Sequence, residues 1–220
     1  MESKETIKKL VDARHFPLWG ITASTIGLVF ILGAMIPYEG TTGESFSIFN
    51  HFVSELGELG VSEFAMMFNI GMILAGFTFI PFMIGFAIYL ENIVGKIAGL
   101  VGVFTSVSII LVGIFPMNYA MEHTTVAMSF FFSGMIMVVL WAIAILIQKE
   151  PKIPKYMSLG GLINFVIFAL FLFGNWGSLS DVMTRPDFHM IPTLEWGIYF
   201  AIIGYLLLIS IMTWKRSRIA

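Results

Sequence analysis

The chain has 220 residues, of which 58% are hydrophobic and 12% are charged, and its mean hydropathy is +0.91. Soluble domains carry about 25% charged residues, so this composition predicts a membrane protein. The formal charge of −2 gives no basic field for nucleic acid, and the absence of cysteine excludes disulfides, thiolate nucleophiles and sulfur-ligated metals.

Six apolar stretches approach or exceed the roughly 20 residues that a helix needs to cross the hydrocarbon core. No stretch has a charged residue at its centre. They run roughly over residues 16–36, 64–90, 97–115, 124–147, 156–176 and 191–214. The sequence therefore predicts an all-α, polytopic membrane protein, with residues 1–220 forming one transmembrane domain built as a six-helix bundle.

The basic residues indicate the orientation of this bundle, since Lys and Arg concentrate in cytoplasmic segments. Arg185 lies on one side of a six-span arrangement and the other eleven of the twelve basic residues lie on the opposite side. We therefore predict a plasma-membrane protein with both termini in the cytoplasm. Arg185, alone on an acidic outer side, is predicted to make a contact within or between chains.

The polar stretch "NHFVSELGELG" follows the first span, at residues 50–60. On a helical wheel of residues 46–59, apolar and polar side chains separate completely. The apolar half contains Phe46, Phe49, Phe52, Val53, Leu56 and Leu59. The polar half contains Ser47, Asn50, His51, Ser54, Glu55 and Glu58. The pattern predicts an amphipathic helix along the outer membrane surface.

Four polar residues of this helix, His51, Ser54, Glu55 and Glu58, have the spacing i, i+3, i+4 and i+7 that places side chains on one helix face. A polar face turned to water explains the pattern in full. A helix on anionic headgroups would carry Lys or Arg, however, and this segment has neither. The alternative prediction is therefore that the polar side of this helix is turned towards the mouth of the bundle.

Further polar groups are predicted at the same outer mouth. Asn118 and His123 lie in or beside the short connection between spans three and four. His189 precedes span six, and Glu195 lies about one turn inside it. A carboxylate facing lipid at that depth would cost up to a few kcal/mol, so Glu195 is predicted to face the bundle interior or a partner.

Imidazole and carboxylate groups in this set suit a divalent metal such as zinc. The candidate metal ligands are His51, Glu55, His123 and His189, with Glu195 nearby. The chain has no HExxH or HxxxH motif. Ser54 with His51 offers an alternative pairing of nucleophile and base, although a spacing of i and i+3 on one helix rarely gives the required hydrogen bond.

Four segments taken together resemble a known family: "NHFVSELG", "FNIGMILAG", "GIFP" with His123 seven residues after its proline, and the Glu of "LEW". They are similar to the prokaryotic six-span family of domain of unknown function nine-nine-eight, and more loosely to eukaryotic Frag/DRAM/Sfk-like membrane proteins. Family members often have an acidic residue after Phe-Pro and an Arg after the span-six Glu, where this chain has Asn118 and Trp196.

The resemblance implies that the matching positions, Ser54, Glu55, His123 and Glu195, form one site. It supplies no reaction for the prokaryotic family, whereas some of the eukaryotic proteins are linked to lipid remodelling and others to membrane organisation or autophagy. Whether the chain is an enzyme therefore stays open.

The function predicted from the sequence is binding of a lipid or other amphiphile at the polar outer-leaflet mouth. The candidate binding residues are His51, Ser54, Glu55, Asn118, His123 and Glu195. One alternative is a metal-dependent lipid hydrolase or acyl-transfer enzyme, with Glu55 or Glu195 as base. A second is a transporter or a structural subunit. The expected partners are membrane lipids, with a homo-oligomer or a membrane-protein partner as further candidates.

Overall fold

The computed structural model describes residues 10–41 and 43–218. Within these residues there are seven α-helices with bounds given by the structure: α1 (Phe16–Met35), α2 (Ala65–Tyr89), α3 (Ile93–Ile114), α4 (Ala120–Leu146), α5 (Met157–Phe173), α6 (Leu179–Met183) and α7 (Met190–Ser217). A short 3₁₀ turn occupies Val53–Gly57. The described residues contain no β-strand beyond an isolated bridge between Glu39 and Ser45.

The chain is an all-helical, polytopic membrane protein. Helices α1, α2, α3, α4 and α7 are each long and apolar enough to cross a membrane. Helix α5 is apolar but has only 17 residues. All six predicted stretches are thus helical, with ends that differ by four residues or fewer from those predicted, while five of them have the length and composition of a span.

The long helices form a closed ring. Each of α1 to α4 packs against the next helix along the chain, α5 packs against α7, and α7 packs against α1. Glycines allow close approach within this ring: a Cβ on Gly113 of α3 would lie 2.5 Å from the backbone oxygen of Asn69 in α2. Such contacts bring helix backbones together where side chains would hold them apart.

Buried aromatic side chains form a cluster in one part of the helix bundle. Phe16, Phe82, Phe86 and Trp141 are all fully buried. Adjacent rings lie close together, with centroids 6.0 Å apart for Phe16 and Phe82 and 4.4 Å apart for Phe86 and Trp141. This cluster joins α1, α2 and α4 on the side of the ring where the loops at residues 90–92 and 147–156 lie.

The opposite end carries the connections at residues 36–64, 115–119 and 174–189 and is called the capped end below. The predicted amphipathic helix over 46–59 is wrong. Only Val53–Gly57 is helical there, as a 3₁₀ turn. The backbone N–H groups of Phe52 and Val53 donate to the carboxylates of Glu55 and Glu195, at 2.8 and 2.9 Å, instead of to carbonyls one helical turn earlier.

The burial of this segment is also unlike that of a surface helix. His51 and Glu55, from the predicted polar face, are 1% and 2% exposed, and Leu56 from the apolar face is fully buried. Both kinds of side chain therefore point into the protein, because the polar ones have partners there. The segment therefore packs between the helix ends at the capped end.

Candidate functional site

The capped end is held together by hydrogen bonds between its first and last connections. Asn50 donates from its amide to the carbonyl of Pro186, at 2.7 Å. The backbone N–H of His189 donates to the carbonyl of Phe49, at 2.7 Å. Trp196 donates its indole N–H to the carbonyl of His51, at 3.0 Å. These bonds attach the segment around residue 50 to the start of α7.

An ion pair strengthens the same junction. Arg185 binds both carboxylate oxygens of Glu55, through Nη1 at 3.1 Å and Nη2 at 2.5 Å. Its Nη1 also donates to the carbonyl of Asn50, at 3.2 Å, and its Nε lies 3.7 Å from Glu44. Burial alone would lower the pKa of Arg185, but the bond and charge of Glu55 raise it, so this guanidinium stays charged.

His51 lies against this ion pair without taking part in it. Its Nδ1 is 2.6 Å from the amide oxygen of Asn50, and its Nε2 is 3.8 Å from Glu44, too far for a hydrogen bond. The ring packs edge-on against Tyr38, with centroids 5.4 Å apart. Burial lowers the pKa of His51, which favours the neutral imidazole at physiological pH.

Asn118 has a supporting role. Its amide donates to the carbonyl of Leu59 at 2.9 Å and accepts from the N–H of Leu59 at 2.7 Å. This two-point contact attaches the segment after the 3₁₀ turn to the α3–α4 connection. Its own side chain is exposed, and it does not line the cavity described next.

A cavity of about 110 Å³ lies inside the ring of helices. Its walls are almost entirely apolar, with residues such as Ile31, Phe79, Phe131 and Ile202 from α1, α2, α4 and α7. Three of the sequence-predicted residues also line it: Ser54, His123 and Glu195. These three come from the 3₁₀ turn, α4 and α7, so separate parts of the chain bring polar groups to one cavity.

The buried carboxylate of Glu195 is 9% exposed and accepts the N–H of Val53 through Oε2. His123 is 7% exposed, and its Nδ1 lies 2.8 Å from the carbonyl oxygen of Phe115. Because a carbonyl can only accept, Nδ1 carries the proton, and in the neutral ring Nε2 is an acceptor. Asn118 and Trp196 contact the backbone of the segment between α1 and α2.

The predicted metal set is not assembled. Within residues 10–41 and 43–218, no three His, Asp or Glu side chains lie close enough to hold a metal ion. His189 accepts the N–H of Ile191 through Nδ1 at 3.3 Å, Glu55 is bound by Arg185, and His123 faces the cavity. Among the described residues, these side chains therefore lie in separate surroundings.

Arg185 is the residue whose importance the sequence understated. It was predicted to make a contact within or between chains, and it contacts Glu55 of the same chain. Its backbone has a φ of +52°, which is uncommon for a residue other than glycine. The signal in the sequence was its position as a lone cation on an acidic side.

The comparisons with known proteins identify the family of this chain. No curated protein and no solved structure matches the chain. The model of the family described as "Protein of unknown function (DUF998)" matches residues 19–216, which is nearly the whole chain and includes every residue of the cavity. The chain belongs to the DUF998 family of proteins of unknown function.

Proposed function

We propose that this protein binds a lipid or another amphiphile in the cavity inside its helix ring. The observation that carries the proposal is the division of the cavity into two chemical parts. Its walls are apolar, and Ser54, His123 and Glu195 add polar groups near the capped end. Apolar walls with a few convergent polar groups are typical of sites for small apolar ligands.

The remaining polar side chains of the cavity are already bonded within the protein. Tyr199 donates to the carbonyl of Gly27 at 3.0 Å, and Ser106 donates to the carbonyl of Gly102 at 2.8 Å. Thr105 donates to the carbonyl of Val101 at 2.9 Å. These hydroxyls support the bundle, so we assign the polar end of the ligand to the capped end and its apolar part to the interior.

The metal-dependent hydrolase has no such support, because its predicted ligands are not brought together in the described part of the chain. We therefore do not propose it. Ser54 and Glu195 do line one cavity, but binding explains their placement without a reaction.

The test is a variant that fills the cavity without touching its polar groups. Ala127 of α4 lines the cavity, and Ala120 of the same helix is exposed and does not. Native mass spectrometry of purified wild-type protein should show a retained amphiphile. Ala127→Phe should lose most of it and Ala120→Phe should keep it. Equal retention in both variants would contradict binding in this cavity.

We also propose six spans, with both termini in the cytoplasm of a plasma-membrane protein. The basic residues of the described chain support this orientation, since Arg185 is the only one of them at the capped end and the others lie at the opposite end. A chain with no cysteine allows a direct test. Ser180→Cys, at the capped end, should react with a membrane-impermeant maleimide in intact cells, whereas Lys149→Cys should react only after permeabilisation. The reverse pattern would invert the orientation.

A further inference from the structure

Two polar atoms of the residues that line the cavity receive no hydrogen bond within the described part of the chain. Oε2 of Glu195 receives the Val53 N–H, but in the described part of the chain nothing donates to Oε1. Nδ1 of His123 is occupied by the Phe115 carbonyl, and among residues 10–41 and 43–218 no group donates to Nε2. Both side chains are more than nine-tenths buried. Each atom can therefore accept a hydrogen bond from a ligand in the cavity.

The charge of the cavity points the same way. Glu195 is the one Asp or Glu among the described lining residues, and no Lys or Arg is among them. The nearest candidate cation at the capped end, Arg185, is held by Glu55. A phosphate or carboxylate head group would thus find no cation, and its negative charge would oppose ionisation of Glu195. A cation would favour the ionised form of Glu195, in a place where an uncompensated carboxylate is expensive.

We propose that the ligand is a lipophilic primary amine, bound as its ammonium ion. This inference rests on the proposed function and specifies its ligand. An ammonium group has three N–H donors and no acceptor. Three residues that line the cavity carry atoms able to accept these N–H groups: Oε1 of Glu195, Nε2 of His123 and the hydroxyl oxygen of Ser54. The apolar tail of the amine lies between the helices.

The test compares three probes that share one tail: hexadecylamine, hexadecanol and hexadecanoate. Each is titrated, in radiolabelled form, against full-length protein in nanodiscs, and partition into empty nanodiscs is subtracted. We expect saturable binding of the amine at least about tenfold tighter than that of either other probe, because hydrogen bonds to charged groups are the stronger ones.

Glu195→Gln identifies the carboxylate as the source of this preference. The variant should bind hexadecylamine and hexadecanol within about threefold of each other. Glu122→Gln is the matched control, because Glu122 is an exposed carboxylate on α4 that does not line the cavity, and it should behave as wild type. If Glu195→Gln does not fold, the wild-type ranking of the three probes still decides.

The outcomes separate the two proposals. Saturable binding with hexadecanol or hexadecanoate equal to or tighter than hexadecylamine would overturn the amine and keep an amphiphile site. An amine preference that survives in folded Glu195→Gln would also overturn it. Absence of saturable binding for all three probes would overturn the amine inference. Equal retention of the amphiphile in Ala127→Phe and Ala120→Phe would separately overturn binding in the cavity.

Discussion

Arg185 and Glu55 are 130 residues apart in the sequence, and the guanidinium of one binds both carboxylate oxygens of the other. The carboxylate is 2% exposed, while the Arg185 side chain is 26% exposed. The pair joins the segment after α1 to the segment before α7. It therefore acts as a clasp across the capped end, above the polar end of the cavity.

Breaking this clasp from the arginine side should destabilise the protein. Arg185→Ala leaves the Glu55 carboxylate buried without its cation, and the expected loss in the free energy of unfolding is about 2–4 kcal/mol. Denaturant unfolding in detergent measures it. The double variant Arg185→Ala/Glu55→Gln should recover part of the loss, since it removes the unpaired charge. An effect of Arg185→Ala no larger than that of exposed Arg14→Ala would contradict the clasp.

His51 should make stability depend on pH. Burial lowers its folded-state pKa, whereas the unfolded imidazole titrates near 6.5. Below that pH the unfolded chain gains a proton that the folded one does not, so stability present above about pH 6.5 falls as the pH falls. The loss approaches at most about 1.4 kcal/mol per pH unit. His51→Gln should show a flatter profile between pH 7 and 5.

The pH profile of His51→Gln must be compared with that of the wild-type protein, because Glu58 affects stability in the opposite sense. Burial and the charge of Glu55 raise the pKa of Glu58, so its contribution to stability falls as the pH rises above about 4.5. Glu58 is common to both proteins, so its contribution cancels in their difference. Identical pH profiles would show that His51 does not titrate differently in the folded state.

Asn118 should protect the backbone of the loop that it contacts. Asn118→Ala removes both hydrogen bonds to Leu59, and the Leu59 amide should exchange its hydrogen faster, with a loss of stability of about 1 kcal/mol. Asn118→Asp keeps the acceptor of that amide and should preserve more of its protection. Hydrogen exchange followed by mass spectrometry distinguishes the two. Unchanged exchange in the alanine variant would be incompatible with this contact.

Helix packing can be tested with a pair of glycines. Gly113→Ala would place a Cβ 2.5 Å from the backbone oxygen of Asn69, which cannot rotate away, and should cost about 1–3 kcal/mol. Gly204→Ala in α7 meets nothing within 4 Å and should change stability by less than about 1 kcal/mol. Thermal unfolding in detergent ranks them. Equal midpoints would argue against close contact between α2 and α3.

The helices were predictable because a long apolar run has few alternatives in a membrane. The segment over 46–59 was not, because a helical wheel sees only local spacing. Asn50 and Glu55 have partners at Pro186 and Arg185, and no pattern within fourteen residues contains that information. Ser54, His123 and Glu195 were predicted as one site and do line one cavity, whereas Glu55, predicted with them, is bound to Arg185.

The short helix α5 has a consequence for the surrounding bilayer. In the six-span arrangement that we propose, its 17 residues reach about 26 Å, whereas the hydrocarbon core is about 30 Å thick. The 27 and 28 residues of its neighbours α4 and α7 reach about 40 Å. The shortfall of α5 lies on one side of the protein, where thinning of the bilayer would match this helix to the hydrocarbon core. The protein should therefore favour shorter acyl chains there than around the rest of its perimeter.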